Sequence, residues 1–200
     1  MSEFFVYLQL GFQHIADING YDHILFVTAL CTLYHAQDWK RLLWLVTAFT
    51  LGHSITLALS TLNIFMLPSS IVEFLIPVTI FLTAAFNISI LHRRRDEAFE
   101  QSLAIQNLQY LLAAGFGLIH GLGFSTYLKS LLGREQNIVF QLFSFNLGLE
   151  CGQILIVAVV LGCTWLLTSV VGMLRREWSL VLSGAAVGVA VTLMLKNWPW

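Results

Sequence analysis

The sequence predicts an all-α, polytopic membrane protein: a single transmembrane domain over residues 1–200, with about six spanning helices and an N-terminal interfacial amphipathic helix over 1–18. Three observations predict it. The chain is 58% apolar. Only 10% of it is charged, against roughly 25% in a soluble domain, too little polar surface to cover a globule. Its apolar residues gather into runs about as long as a bilayer is thick, broken by short charge clusters. The same composition excludes a disordered chain. Ten Lys and Arg against eleven Asp and Glu leave no basic footprint, so no nucleic-acid partner is expected. Cys31, Cys151 and Cys163 all sit inside apolar runs and read as small buried hydrophobes, not as a disulfide framework.

From the N-terminus, Phe4, Phe5, Leu8, Phe12 and Ile15 recur at three- and four-residue spacing, with Gln9, Gln13, His14 and Asp17 at other positions. That pattern makes the interfacial helix. It has neither the basic start nor the cleavage site of a secretory signal. Spans follow near 21–36, 41–61, 70–91, 105–128, 138–170 and 178–196; the fifth is longer than one crossing needs, so it tilts or projects. Tyr21, Tyr34, Trp39, Trp44, Trp178, Trp198 and Trp200 lie near span ends as interface anchors.

Orientation comes from Lys and Arg in the short loops. Lys40, Arg41, Arg93, Arg94, Arg95, Arg175 and Arg176 fall on one side, and only Lys129, Arg134 and Lys196 on the other. The richer side is cytoplasmic, which puts both termini in the periplasm of a multi-pass inner-membrane protein embedded in lipid.

Ionisable residues at membrane depth are expensive and point to function. Counting about 1.5 Å per residue, His53 lies roughly 18 Å in from the cytoplasmic face, in the outer half. Asp22 and His23 open the first span from outside, Glu73 the third, and His120 lies in the outer half of the fourth. Asn146, Glu150 and Gln153 descend the fifth as a stripe at i, i+4 and i+7. Thr47, Thr50, His53 and Ser54 form a second stripe. Gly115, Gly117, Gly121 and Gly123 around His120, and Gly148 and Gly152 around Glu150, put these residues where helices touch each other. His35 and His92 lie at the opposite face.

Neutral imidazole beside carboxylate suits a divalent transition metal such as Ni, Co or Zn better than Ca or Mg. The metal-ligand candidates are His23, His53 and His120 first, then Asp22, Glu150 and His14. Asp17, Glu73, Asn146 and Ser54 are candidates to orient them. Three histidines with an open position also describe a catalytic zinc site, in which Glu150 or Asp22 would serve as general base.

The run from His14 to Phe26, with Asp17, Asn19, Gly20, Tyr21, Asp22 and His23, resembles the opening motif of the HupE/UreJ family of bacterial membrane proteins. Thr47 to Leu57, containing Gly52, His53 and Ser54, is similar to that family's second-span signature. Gly117-Leu118-Ile119-His120-Gly121-Leu122-Gly123-Phe124 and Phe145-Asn146-Leu147-Gly148-Leu149-Glu150 resemble its later motifs. The hydrogenase-linked branch has a further His and a Glu around its final His-Gly; here those positions hold Phe116 and Gly123, which is similar to a separate branch. The resemblance implies nickel or cobalt uptake. Membrane-embedded metal-dependent hydrolysis and a non-transporting metal-sensing or assembly subunit are the alternative functions, and self-association into a homo-oligomer is open to all three.

Overall fold

The computed structural model describes residues 2–18, 20–93, 103–132 and 138–200; Asn19, Arg94, Arg95 and Arg134 of the sequence argument lie outside them. Seven α-helices account for almost all of it: α1 (Glu3–Ile15), α2 (Asp22–Cys31), α3 (Trp39–Thr61), α4 (Ser69–Arg93), α5 (Leu103–Leu132), α6 (Ile138–Trp165) and α7 (Arg175–Lys196). No strand occurs among the described residues. Helices over Ala36–Thr61, Ser69–His92, Ile105–Ser130, Ile138–Val170 and Arg175–Lys196 are long and apolar enough to cross a membrane. The protein is an all-α polytopic membrane protein.

Helix ends follow local chemistry. Asn63 takes a left-handed conformation (φ 58°) and stops α3, the backbone state that Asn tolerates better than most residues. Asp38 accepts from the His35 backbone N–H at 3.1 Å and closes the 3-10 turn Ala36–Asp38 that feeds α3. Inside α4, Pro77 has no N–H to give the carbonyl of Glu73. Asn197, just past α7, supplies the missing donor: its Nδ2 bonds that carbonyl at 3.1 Å. At the far end of the same pair of helices, Arg176 Nε bonds the carbonyl of Leu91 at 3.2 Å. α4 and α7 are therefore antiparallel neighbours clamped at both ends.

Glycines set the two tightest seams. On α3 and α5, a Cβ at Gly52 would collide with the Ala114 carbonyl, at Gly117 with the Phe49 carbonyl, and at Gly121 with the His53 carbonyl. The matched positions advance together, so α3 and α5 run parallel, and Lys129 reaches Asn63 at their far end (3.0 Å). On α1 and α6, a Cβ at Gly11 would meet the Phe145 carbonyl and one at Gly148 the Leu8 carbonyl; Gln141 Nε2 bonds Glu3 Oε1 at 2.5 Å. These two also run parallel. A helix is thus present at the expected N-terminal position, but its glycine edge docks it lengthwise along α6 instead of laying it in the interface; hydrophobic periodicity alone gives a buried face without saying what covers it.

The expected first span, 21–36, contains only the ten-residue α2 before the chain turns at Thr32. At about 1.5 Å per residue, α2 is about 15 Å long and cannot cross a bilayer alone. It runs parallel to α4, with Asn87 Nδ2 donating to the Ala29 carbonyl at 2.7 Å. Since α4 and α6 are both antiparallel to α3 and α5, α1 and α2 follow one direction in tandem, as two half-helices, the first ending at Ile15 and the second starting at Asp22. The first pass of the path is a broken helix, and α1 starts on the same side of the bundle as α7 ends.

Candidate metal centre

The break between α1 and α2 brings two histidines face to face. His14 occupies the last turn of α1 and His23 the first turn of α2, with ring centroids 4.6 Å apart. α3 adds His53 at the level where Gly117 and Gly121 bring α5 against its backbone. One ligand atom from each of His14, His23 and His53 lies within 4.8 Å of the other two. Tetrahedral coordination at about 2.0–2.1 Å per imidazole nitrogen puts the nitrogens about 3.3 Å apart, so small ring rotations suffice to close the set around an ion.

Hydrogen bonding decides which nitrogens are left over. Asp22 Oδ1 accepts from the His23 backbone N–H at 2.9 Å and faces His23 Nδ1 at 3.1 Å. The carboxylate therefore holds the proton on Nδ1 and leaves the Nε2 lone pair free. Thr79 donates its single hydroxyl proton to the Ile76 carbonyl (2.7 Å). His120 Nε2, 3.0 Å from Thr79 Oγ1, must then be the donor, and its lone pair is on Nδ1. His14 Nε2, His23 Nε2, both nitrogens of His53 and His120 Nδ1 are buried with no hydrogen-bond partner among the described residues. Buried polar atoms are nearly always satisfied. Each of the four rings thus brings one unpartnered nitrogen to the cluster, a set that fits a bound cation; the second nitrogen of His53 carries its proton.

His120 flanks the triad. Its ring centroid is 5.1 Å from those of His23, Phe26 and Phe49. Phe26 and Phe49 are fully buried, 4.9 Å apart, with Phe116 packed on Phe26 at 5.9 Å. They form a floor beneath the histidines. Access lies on the opposite side. His14 and Asp17 line an open groove of about 750 Å³ with Gln13, Phe124 and Tyr127. Asp22 and Glu73 line a second recess of about 190 Å³ with Lys196 and Asn197. Both openings carry acidic side chains.

The remaining sequence candidates are distributed around this core. Glu150 stands away from the histidines and accepts from Thr47 Oγ1 at 2.5 Å. Ser54 Oγ bonds back to the Thr50 carbonyl (2.6 Å), a helix-internal contact. Asn146 Oδ1 is buried without a partner among the described residues, and Glu73 and Asp17 are exposed at the two mouths. Thr79 and the phenylalanine floor were not singled out in the sequence. Thr79 sits two residues after Pro77 and could be found only through its partner, His120. His35 and His92 lie at the other end of the bundle.

Curated proteins and solved structures give no match to the chain. The family described as HupE / UreJ protein matches residues 1–198. The motifs resembling that family include the broken helix, the His53 turn of α3, the His120 turn of α5 and the Asn146–Glu150 stripe of α6. The chain belongs to the HupE/UreJ family.

Proposed function

We propose that the protein is a membrane carrier for a divalent transition-metal ion, nickel or cobalt by family resemblance, which enters from the periplasmic side and is held by His14, His23 and His53. One observation carries this reading: three orphaned imidazoles meet at the interruption of a broken helix. Half-helices whose ends meet within the membrane are a recurring way to build an ion site in transporters, because the break frees polar groups that a continuous helix would consume. The acidic mouths favour cation entry. In this reading both termini are periplasmic in the bacterial inner membrane, and Asp22 orients His23 without binding the ion.

The metal is cargo, so the site should bind it reversibly. The purified full-length chain should bind about one Ni²⁺ or Co²⁺ per molecule, and His53→Ala should abolish this. Absence of metal binding by the wild type in equilibrium dialysis would reject the reading.

A second reading draws on the phenylalanine floor and the groove beside His14: a dead-end site with lateral access suits a metal-dependent hydrolase acting on a membrane-soluble ester or amide. There the metal would supply an activated water, and the groove would hold the organic substrate. A catalytic ion should resist dialysis, whereas cargo exchanges. Isotopic exchange of bound metal separates the two.

A further inference from the structure

Beyond the histidines, toward the Lys40–Arg41 end of α3, the seam between α3 and α6 stays polar. Thr47, Thr50 and His53 share one face of α3 at three-residue spacing. α6 meets them with two side chains: Thr50 Oγ1 donates to Gln153 Oε1 at 2.8 Å, and Thr47 Oγ1 donates to Glu150 Oε1 at 2.5 Å. Gln153 is fully buried and its Nε2 has no partner among the described residues; the same holds for the buried Asn146 Oδ1. Among the described residues, no Lys, Arg or His comes within ion-pair distance of Glu150.

Each of these features is costly if the seam is only structural. A buried amide group without a partner costs about 1–3 kcal/mol. A carboxylate at membrane depth without a cation is costlier still. The orphaned Gln153 donor and Asn146 acceptor are what a short water chain needs, one group giving and one accepting. The unpaired carboxylate is what a cation needs.

We propose that Thr47, Thr50, Glu150 and Gln153 form a second station for the divalent cation, an all-oxygen waypoint that receives it from the imidazole cluster. The proposal rests on the carrier reading above. Thr47 is six residues from His53, about 9 Å along the helix, so the transfer is short. The direct way down from the histidines is closed by Phe26 and Phe49, and the seam passes beside that floor. The donor set changes from nitrogen to oxygen along this path. Imidazole favours nickel, cobalt and zinc, whereas hydroxyl, amide carbonyl and carboxylate oxygens hold them more weakly. A route that starts tight and becomes loose lets the ion leave.

The test uses the full-length chain, with Ni²⁺ alone as probe: equilibrium dialysis in detergent for binding, and influx into liposomes containing a Ni²⁺-quenched dye. Glu150→Gln and Gln153→Leu should each lower initial influx about tenfold or more while Ni²⁺ affinity stays within about twofold of wild type. Thr47→Val, which keeps volume and removes only the hydroxyl, should lower influx in the same direction. Unchanged influx in Glu150→Gln overturns the proposal. So does a loss of affinity as large as that of His53→Ala, which would make Glu150 a ligand of the histidine cluster. Wild-type protein that binds Ni²⁺ without passing it overturns the second station and the carrier reading together, and leaves the histidine site to the hydrolase reading. Wild-type protein that binds no Ni²⁺ overturns both.

Discussion

His14 and His23 face each other across a gap in the helix path, their ring centroids 4.6 Å apart, although eight sequence positions separate them. In a continuous helix they would sit more than two turns apart, about 13 Å along the axis. The interruption between the end of α1 at Ile15 and the start of α2 at Asp22 removes that distance and puts the Asp22 carboxylate beside the second ring. The arrangement leads to four predictions.

Alanine at His14 or His53 should each remove Ni²⁺ binding, because each takes away an inner donor that buried apolar surroundings do not replace. The same substitution at His35 or His92, at the other end of the bundle, should leave affinity within about twofold. Isothermal titration of the purified variants decides this. Retained binding in His14→Ala would remove α1 from the site.

Asp22→Ala should keep the stoichiometry and weaken affinity about 10–100-fold, the usual cost of losing a carboxylate that orients a ligating imidazole. If Asp22 were itself the main ligand, stoichiometry would fall together with affinity in the same titration.

Gly11→Val should destabilise the protein and weaken metal binding together, because its Cβ would overlap the Phe145 carbonyl and push α1 off α6. Overpacking of this kind costs about 1–3 kcal/mol or more, since the obstacle is backbone. Gly184→Ala on α7 is the opposite case. Nothing lies within 4 Å of its added Cβ, and Gly to Ala inside a helix contributes about 0.5–1 kcal/mol of stability. Thermal unfolding in detergent should move down for the first variant and up or not at all for the second.

His35, outside the spans, has its pKa held below the usual histidine value by partial burial and then by the Arg175 charge, with Asp38 opposing. The unfolded chain therefore takes up a proton at higher pH than the folded one. The contribution of His35 to stability is present above the ordinary histidine pKa and declines as pH falls through it. Wild-type protein should lose more thermal stability than His35→Gln between about pH 7.5 and 5.5. An identical loss in both would assign the pH dependence elsewhere.

The class of the protein was already determined by composition: 10% charged residues can only be accommodated if lipid covers the rest. Five long apolar helices stand where the sequence has long apolar runs, whereas the run 21–36 holds only the ten-residue α2. Rise per residue is constant along a helix, so counting inward from Lys and Arg places His23, His53 and His120 at similar distances along their helices. The structure brings those three rings together. Depth, however, says nothing about which helices adjoin or which way a side chain faces around its axis. Glu150 therefore read as part of the histidine layer, whereas its helix face turns it to Thr47. The packing of α1 on α6, through Gly11 and Gly148, was decided only by tertiary structure, since a single glycine in an amphipathic run does not name its partner. With that packing came the broken helix and the place of His14 beside His23 and His53. An ion site assembled from separate helices depends on how those helices meet, and local sequence does not specify that.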